Sequence, residues 1–185
     1  IGGATMSRTD TAQLATLRTE VLIWRALETA IREPTAVYAP AATGRTMNVR
    51  IAMRQRVPGE ARNAIMAAFG SLANVKNVFV VDPDIDIFSD EQMDWALATR
   101  FQADRDLVVV DGLRTLPLDP SVPPGTRTGA KAGFDLTWPF GFDPALSMNA
   151  NRLVTAVRLA NRKVFQAGED KPDLAGMGTT IVVAL

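Results

Sequence analysis

The stretch Val75–Arg100, VKNVFVVDPDIDIFSDEQMDWALATR, decides the fold. Val78, Phe79, Val80 and Val81 form a continuous apolar run with three β-branched residues, the pattern of a strand buried on both faces in a parallel sheet. Asp82-Pro83 ends it, because proline has no N–H to give to a ladder. Ser89 precedes Gln92 by three residues, a capping-box spacing, and Asp90 and Glu91 occupy the first helical turn, where the helix dipole favours anions. On the helix that follows, Met93, Ala96, Leu97 and Phe101 share a face with Arg100 in its middle. An arginine placed there needs a carboxylate partner, since an unpaired buried charge is costly. Asp82, Asp84, Asp86 and Asp106 are the candidates for this structural ion pair. Trp95 projects from the opposite side and marks a second contact surface.

The outer parts of the chain extend this unit. Before it, helical character runs from Asp10 to Arg32, but the apolar residues do not keep one stripe. Leu14, Leu17, Val21 and Trp24 share one face, and Ile23, Leu27, Ala30 and Ile31 another. Either the helix breaks near Thr19-Glu20, the preferred reading, or it is buried on two sides. Thr35–Ala39 is a short strand, and Met47, Val49, Ile51 and Met53 alternate with polar or small residues as a second. The arginine side of that strand (Arg50, Arg54, then Arg56) has the charge to grip a phosphate, but no aromatics interleave it and a solvated strand face is the preferred reading. Pro58 sits at a first helical position, with a helix over Gly59–Phe69.

Beyond the central unit, Leu107–Val110 is a third apolar strand, with Asp111-Gly112 turning out of it. Leu113–Gly133 holds four prolines and three glycines and is predicted as one long ordered loop. A loop leaving the carboxyl end of a buried strand lies where α/β folds place ligands. Its Gly125–Lys131 segment lacks the Gly-Lys pair of a phosphate loop. A helix over about Ser147–Ala167 and a β-like segment over Thr179–Leu185 are appended at the end. The alternation predicts one α/β domain over residues 1–185: a three-layer unit with a mostly parallel sheet flanked by helices, plus an appended C-terminal helix and strand.

Composition narrows the chemistry. The 185 residues carry 20 Lys+Arg and 20 Asp+Glu, so no global field favours nucleic acid or an anionic membrane. Without cysteine there is no disulfide or thiolate metal site, which fits a cytoplasmic location. Without histidine the chain offers no imidazole base, no His ligand and no Ser-His-Asp triad. Asp82, Asp84 and Asp86 have the chemistry for a divalent cation. Alternate residues in a turn need not converge, so pairing and capping is the preferred role and no metal site is expected. The chain starts at Ile1, so it is read as a fragment, a processed product or a separate small subunit.

The segment VVDPDIDIFSDEQMDWALATRFQADRD closely resembles the C-terminal region of UbiD-type decarboxylases. The family pattern there is an apolar strand, an acidic Asp-Ile-Asp turn, a Trp-Ala helix, an Arg and a following Arg-Asp. Two later pieces agree in order: Leu118-Asp119-Pro120-Ser121, and Lys131–Thr137, similar to Lys-x-Gly-x-Asp-Ala-Thr with Leu136 departing from the alanine. The resemblance runs from about Thr9 to Thr137, leaving 138–185 as an appended segment.

The resemblance implies a carboxy-lyase acting on a small aromatic or α,β-unsaturated acid with prenylated FMN, a divalent metal and K⁺. It also implies that the catalytic and cofactor-binding residues precede the matched region, so no catalytic residue is expected in this chain. The partners implied are a flavin-binding domain or subunit and further copies in a homo-oligomer, with no nucleic acid or membrane. In the family the residues just before the Asp-Pro-Ser stretch approach the substrate; here these are Leu116, Pro117 and Leu118, and the two leucines are the substrate-lining candidates. Ordinary core packing of the same leucines stays open. The alternative function is a non-catalytic assembly module of the same fold.

Overall fold

A computed structural model describes residues 10–117, 119–142, 146 and 148–170. It divides into two compact units, one ending at Thr137 and one beginning at Trp138. In the first unit the order is α1 (Asp10–Ala30), β1 (Pro34–Tyr38), a short 3-10 turn (Ala41–Thr43), β2 (Asn48–Met53), α2 (Glu60–Ser71), β3 (Asn77–Val81), α3 (Asp90–Arg100), α4 (Ala103–Asp106), β4 (Leu107–Arg114) and β5 (Thr128–Asp135). The second unit contains α5 (Met148–Asp170).

The strands form one sheet in the order β1-β2-β3-β5-β4, with the Val78–Val81 strand at its centre. β3 runs parallel to β2 and to β5, whereas β1 and β4 pair antiparallel at the two edges. The sheet is therefore mixed, not mostly parallel. The cause lies in the connections: β1 reaches β2, and β4 reaches β5, without the helical crossover that parallel neighbours need.

Alternation along β3 divides the core. Val78 and Val80 pack with Val49, Ile51, Met53, the Ile23/Leu27 stripe of α1 and Ala61, Ala64, Ile65, Ala68 and Phe69 of α2. Phe79 and Val81 face the other side, with Ala52, Ile85, Ile87, Met93, Ala96, Leu136 and Phe134. Helices thus lie on both faces, α1 and α2 on one and α3 on the other. Phe79 stacks on Phe134 with ring centroids 4.7 Å apart.

Three local expectations are corrected. α1 is continuous from Asp10 to Ala30, with no break at Thr19-Glu20. It buries the single stripe Thr19, Ile23 and Leu27 and leaves Leu14, Leu17 and Val21 exposed, so neither a break nor two-sided burial was needed. β4 does not end at Asp111-Gly112; its register shifts between Val110 and Leu113, with Gly112 at φ 72°, and pairing resumes to Arg114. The predicted long loop is 115–127 only, because β5 begins at Thr128 and runs through Gly129 and Gly133. The appended helix is present as α5, while the expected segment Thr179–Leu185 lies outside the described residues.

Candidate active-site wall

The register defines two ends of the sheet. At the carboxyl end of β3, the turn Asp82–Ser89 folds back over the second core. Arg100, the last residue of α3, has a side chain only 6% exposed and reaches the turn with both Nη atoms, Nη1 at 3.1 Å from Asp84 Oδ1 and Nη2 at 2.5 Å from Oδ2. Asp82 Oδ2 lies 3.7 Å from Nη1. Asp86 accepts from the Phe88 N–H, and its own N–H donates to Gln92 Oε1. Ser89 Oγ accepts from the Gln92 N–H, so Ser89 and Gln92 cap and brace the start of α3. Asp106 accepts from the Gln102 N–H and from Arg105 Nε. The structure therefore brings Arg100 together with Asp82 and Asp84, while Asp86 and Asp106 hold their own local backbone.

The arginine side of β2 is also committed. Arg50 donates to the Ile87 carbonyl at 2.9 Å and to Asp90 at 2.5 Å, tying α3 to the sheet. Arg54 and Arg56 both reach Glu33, at 3.4 and 3.3 Å. Near them, Glu60 is buried. Burial alone would raise its pKa, but the backbone N–H groups of Arg56, Arg32 and Val57 hold it below the usual range.

The 115–127 loop lies at the other end. Since β4 is antiparallel to the central strands, its last residues, Leu113 and Arg114, meet Gly129 and Thr128 at the start of β5. The loop thus stands at the amino end of the parallel strands, and the expectation of a carboxyl-end site is corrected by strand direction. It is built in advance rather than loose. Asp119 is buried, accepts from Lys76 Nζ at 2.8 and 3.1 Å, and accepts from the Ser121 N–H and hydroxyl. Burial opposes ionisation of Asp119, but Lys76 and Ser121 outweigh it and hold its pKa below the ordinary carboxylate value. Leu116, half-buried, accepts the Asp119 N–H on its carbonyl, and the Thr115 N–H donates to the Arg127 carbonyl at the loop's neck. Leu118 lies outside the described residues.

Sequence reasoning missed two features of this unit. Lys76 stands just before β3, and only the tertiary fold brings it to Asp119. The second is the alternation Lys131, Gly133, Asp135, which places three residues on one face of β5, toward α2. Lys131 is buried and donates to the carbonyls of Phe69 and Leu72 at the end of α2, where the helix dipole is negative. Burial pushes its pKa down to about 8. At Gly133 a side chain would meet Ile65 Cγ2 at 2.3 Å, so the glycine lets α2 approach the strand. Asp135 accepts from the Thr137 N–H and hydroxyl, and burial raises its pKa. The period of two was the available signal.

The clefts flanking the acidic turn do not fit a metal-bound flavin. Among the described residues no three carboxylates converge as a metal site. The clefts flanking the acidic turn, about 440 and 640 Å³, are lined by Asp84 and Asp86 in one and Glu91 and Asp94 in the other, with no cation to receive a phosphate. Among the described residues no helix is long and apolar enough to cross a membrane.

Comparison with known proteins finds relatives over most of the chain. The family model for the 3-octaprenyl-4-hydroxybenzoate carboxy-lyase C-terminal domain matches residues 12–136. Anhydromevalonate phosphate decarboxylase from Aeropyrum pernix is 37% identical over 150 residues, covering 81% of this chain and 33% of the relative. Gallate decarboxylase from Lactiplantibacillus plantarum is 38% identical over 115 residues, 60% of this chain and 24% of the relative. The chain therefore spans a third or less of these proteins. Among solved structures, the UbiD-class enzyme HmfF from Pelotomaculum thermopropionicum, in complex with FMN, superposes with a TM-score of 0.69 at 32% identity, covering 75% of this chain and 32% of that one. Apo 3,4-dihydroxybenzoic acid decarboxylase from Klebsiella pneumoniae gives 0.66 at 33% identity, over 74% and 31%.

Proposed function

The chain belongs to the UbiD C-terminal domain family, and from that premise we propose that it is the C-terminal domain or small subunit of a prenylated-FMN-dependent carboxy-lyase. The observation that carries this reading is the continuous match over residues 12–136, which ends where the first compact unit ends. The substrate class is a small aromatic or α,β-unsaturated acid, and the enzyme works in the cytoplasm as a homo-oligomer. Prenylated FMN, with its divalent metal and K⁺, supplies the bond-breaking chemistry and sits on a flavin-binding domain or subunit outside this chain. The domain contributes one wall of the cleft and part of the subunit interface.

Within that division of labour, the 115–127 loop is the wall. Leu116, on a segment pinned through Asp119 to Lys76, and Leu118 are the substrate-lining residues of this reading, because apolar side chains there offer a wall that does not compete for the substrate carboxylate. The test is flavin retention. Purified alone, the 185-residue chain keeps no flavin absorbance; purified as a complex with a flavin-binding part, it does. Stoichiometric flavin on the isolated chain would overturn the proposal.

A further inference from the structure

Helix α1 is longer than the strand beside it. Glu20 Oε1 accepts the Ala39 N–H at 3.0 Å, one residue past the end of β1. Arg45, in the turn that leads into β2, donates from Nη1 to Thr16 Oγ1 at 3.1 Å. Because β1 runs antiparallel to β2, Glu20 is level with the amino end of the parallel strands. At about 1.5 Å per residue, residues 10–19 carry the helix roughly 15 Å beyond that level.

The overhang has an apolar outer side. Thr19, Ile23 and Leu27 face the core. Leu14, Leu17 and Val21, at i, i+3 and i+7, lie on the opposite side and are 68, 60 and 43% exposed. A single exposed leucine is ordinary, but three large apolar side chains in line on one helix form a surface for a partner. Arg18 and Arg25, both exposed, run along its edge.

Two observations point to the occupant. The match covers only 33% of the Aeropyrum pernix relative, and the family model, that of a C-terminal domain, begins at residue 12, in the first turn of α1. In such relatives the larger part of the chain therefore precedes this helix. The stripe also shares an end of the sheet with the 115–127 loop, α1 beside β1 and the loop above β4 and β5. We propose that the Leu14, Leu17 and Val21 stripe is the seat of the flavin-binding part. The proposal rests on the carboxy-lyase reading above and names the surface that holds its two parts together. Four strand spacings of about 4.8 Å put β1 and β4 roughly 19 Å apart, so one domain lying across the amino end touches both stripe and loop. Two contacts at that separation fix the tilt of the loop over the flavin, which one contact alone would leave free.

The test uses the full 185-residue chain, alone and assembled with the flavin-loaded part of its enzyme. The chain holds no cysteine, so Leu17→Cys supplies a single thiol whose alkylation by N-ethylmaleimide is followed by mass. Its rate is expected to fall at least about tenfold on assembly, because a seated partner excludes the reagent. Val57→Cys, exposed on the loop after β2 at the opposite end of the sheet, should keep its rate. Leu14→Glu with Leu17→Glu should weaken assembly on the order of a hundredfold, with the melting temperature of the chain unchanged because both side chains are outside the core. Val57→Glu should leave assembly unchanged. A complex that assembles and holds flavin while Leu17→Cys reacts as fast as in the free chain would overturn the proposal and leave the carboxy-lyase reading standing. Protection of Leu17→Cys that grows with the concentration of the chain alone would assign the stripe to a second copy and overturn it too. A wild-type chain that never assembles with the flavin-binding part would sink both.

Discussion

Arg100 holds Asp84 through both Nη atoms, a two-point grip that joins the last residue of α3 to the acidic turn after the central strand. The planar fork matches a carboxylate in a way a lysine ammonium does not. The arginine is 6% exposed and Asp84 is 50% exposed, so the arginine depends on the pair more than the aspartate does.

Arg100→Ala should cost about 3 kcal/mol in urea unfolding, the low end for a broken buried pair, because the freed Asp84 can rehydrate. Arg100→Lys should lose part of that stability while keeping the charge. A cost below about 0.5 kcal/mol for the alanine variant would show that the turn does not rely on this pair.

Gly133→Ala should destabilise by about 1–3 kcal/mol, since the new methyl group falls on Ile65 Cγ2. In an Ile65→Ala background the same change should cost much less. Equal costs in both backgrounds would contradict the close approach of α2 to β5.

How much was legible in the sequence follows from where each signal lives. The strand, cap and helix of Val75–Arg100 and the need of Arg100 for a carboxylate are local, so they can be read from spacing alone. The glycines of β5 read as breakers in a short window, whereas Gly133 answers to Ile65, a residue distant in the chain. The edge directions of β1 and β4, which move the 115–127 loop to the other end of the sheet, depend on pairing that no short window contains. The Lys76–Asp119 anchor was hidden for the same reason.

Lys131 predicts a pH signature. Its folded pKa, about 8, lies below the unfolded value, so the unfolded chain binds more protons between about pH 8 and 10. Stability should therefore rise with pH as the buried amine sheds its charge. Melting temperatures of wild type and Lys131→Met across pH 7.5–9.5 check this: the wild type should gain relative to the variant. A constant difference would mean that the amine titrates at its ordinary value.

Leu116→Ala and Leu118→Ala should change relative activity among substrates in the assembled enzyme and leave stability within about 1 kcal/mol. Core leucines would behave otherwise, each costing roughly 2–5 kcal/mol with substrate preference unchanged. That second pattern would remove them from the cleft.

The most direct measurement is CO₂ release by the 185-residue chain alone and after co-assembly with the flavin-binding part of its enzyme, loaded with prenylated FMN and supplied with an aromatic or α,β-unsaturated acid. On the proposed reading neither part alone releases CO₂ and the assembled pair does, with less release when the 115–127 loop is unpinned by Lys76→Ala. Release by the isolated chain, or a loaded and assembled pair that releases none from either class of acid, would contradict it.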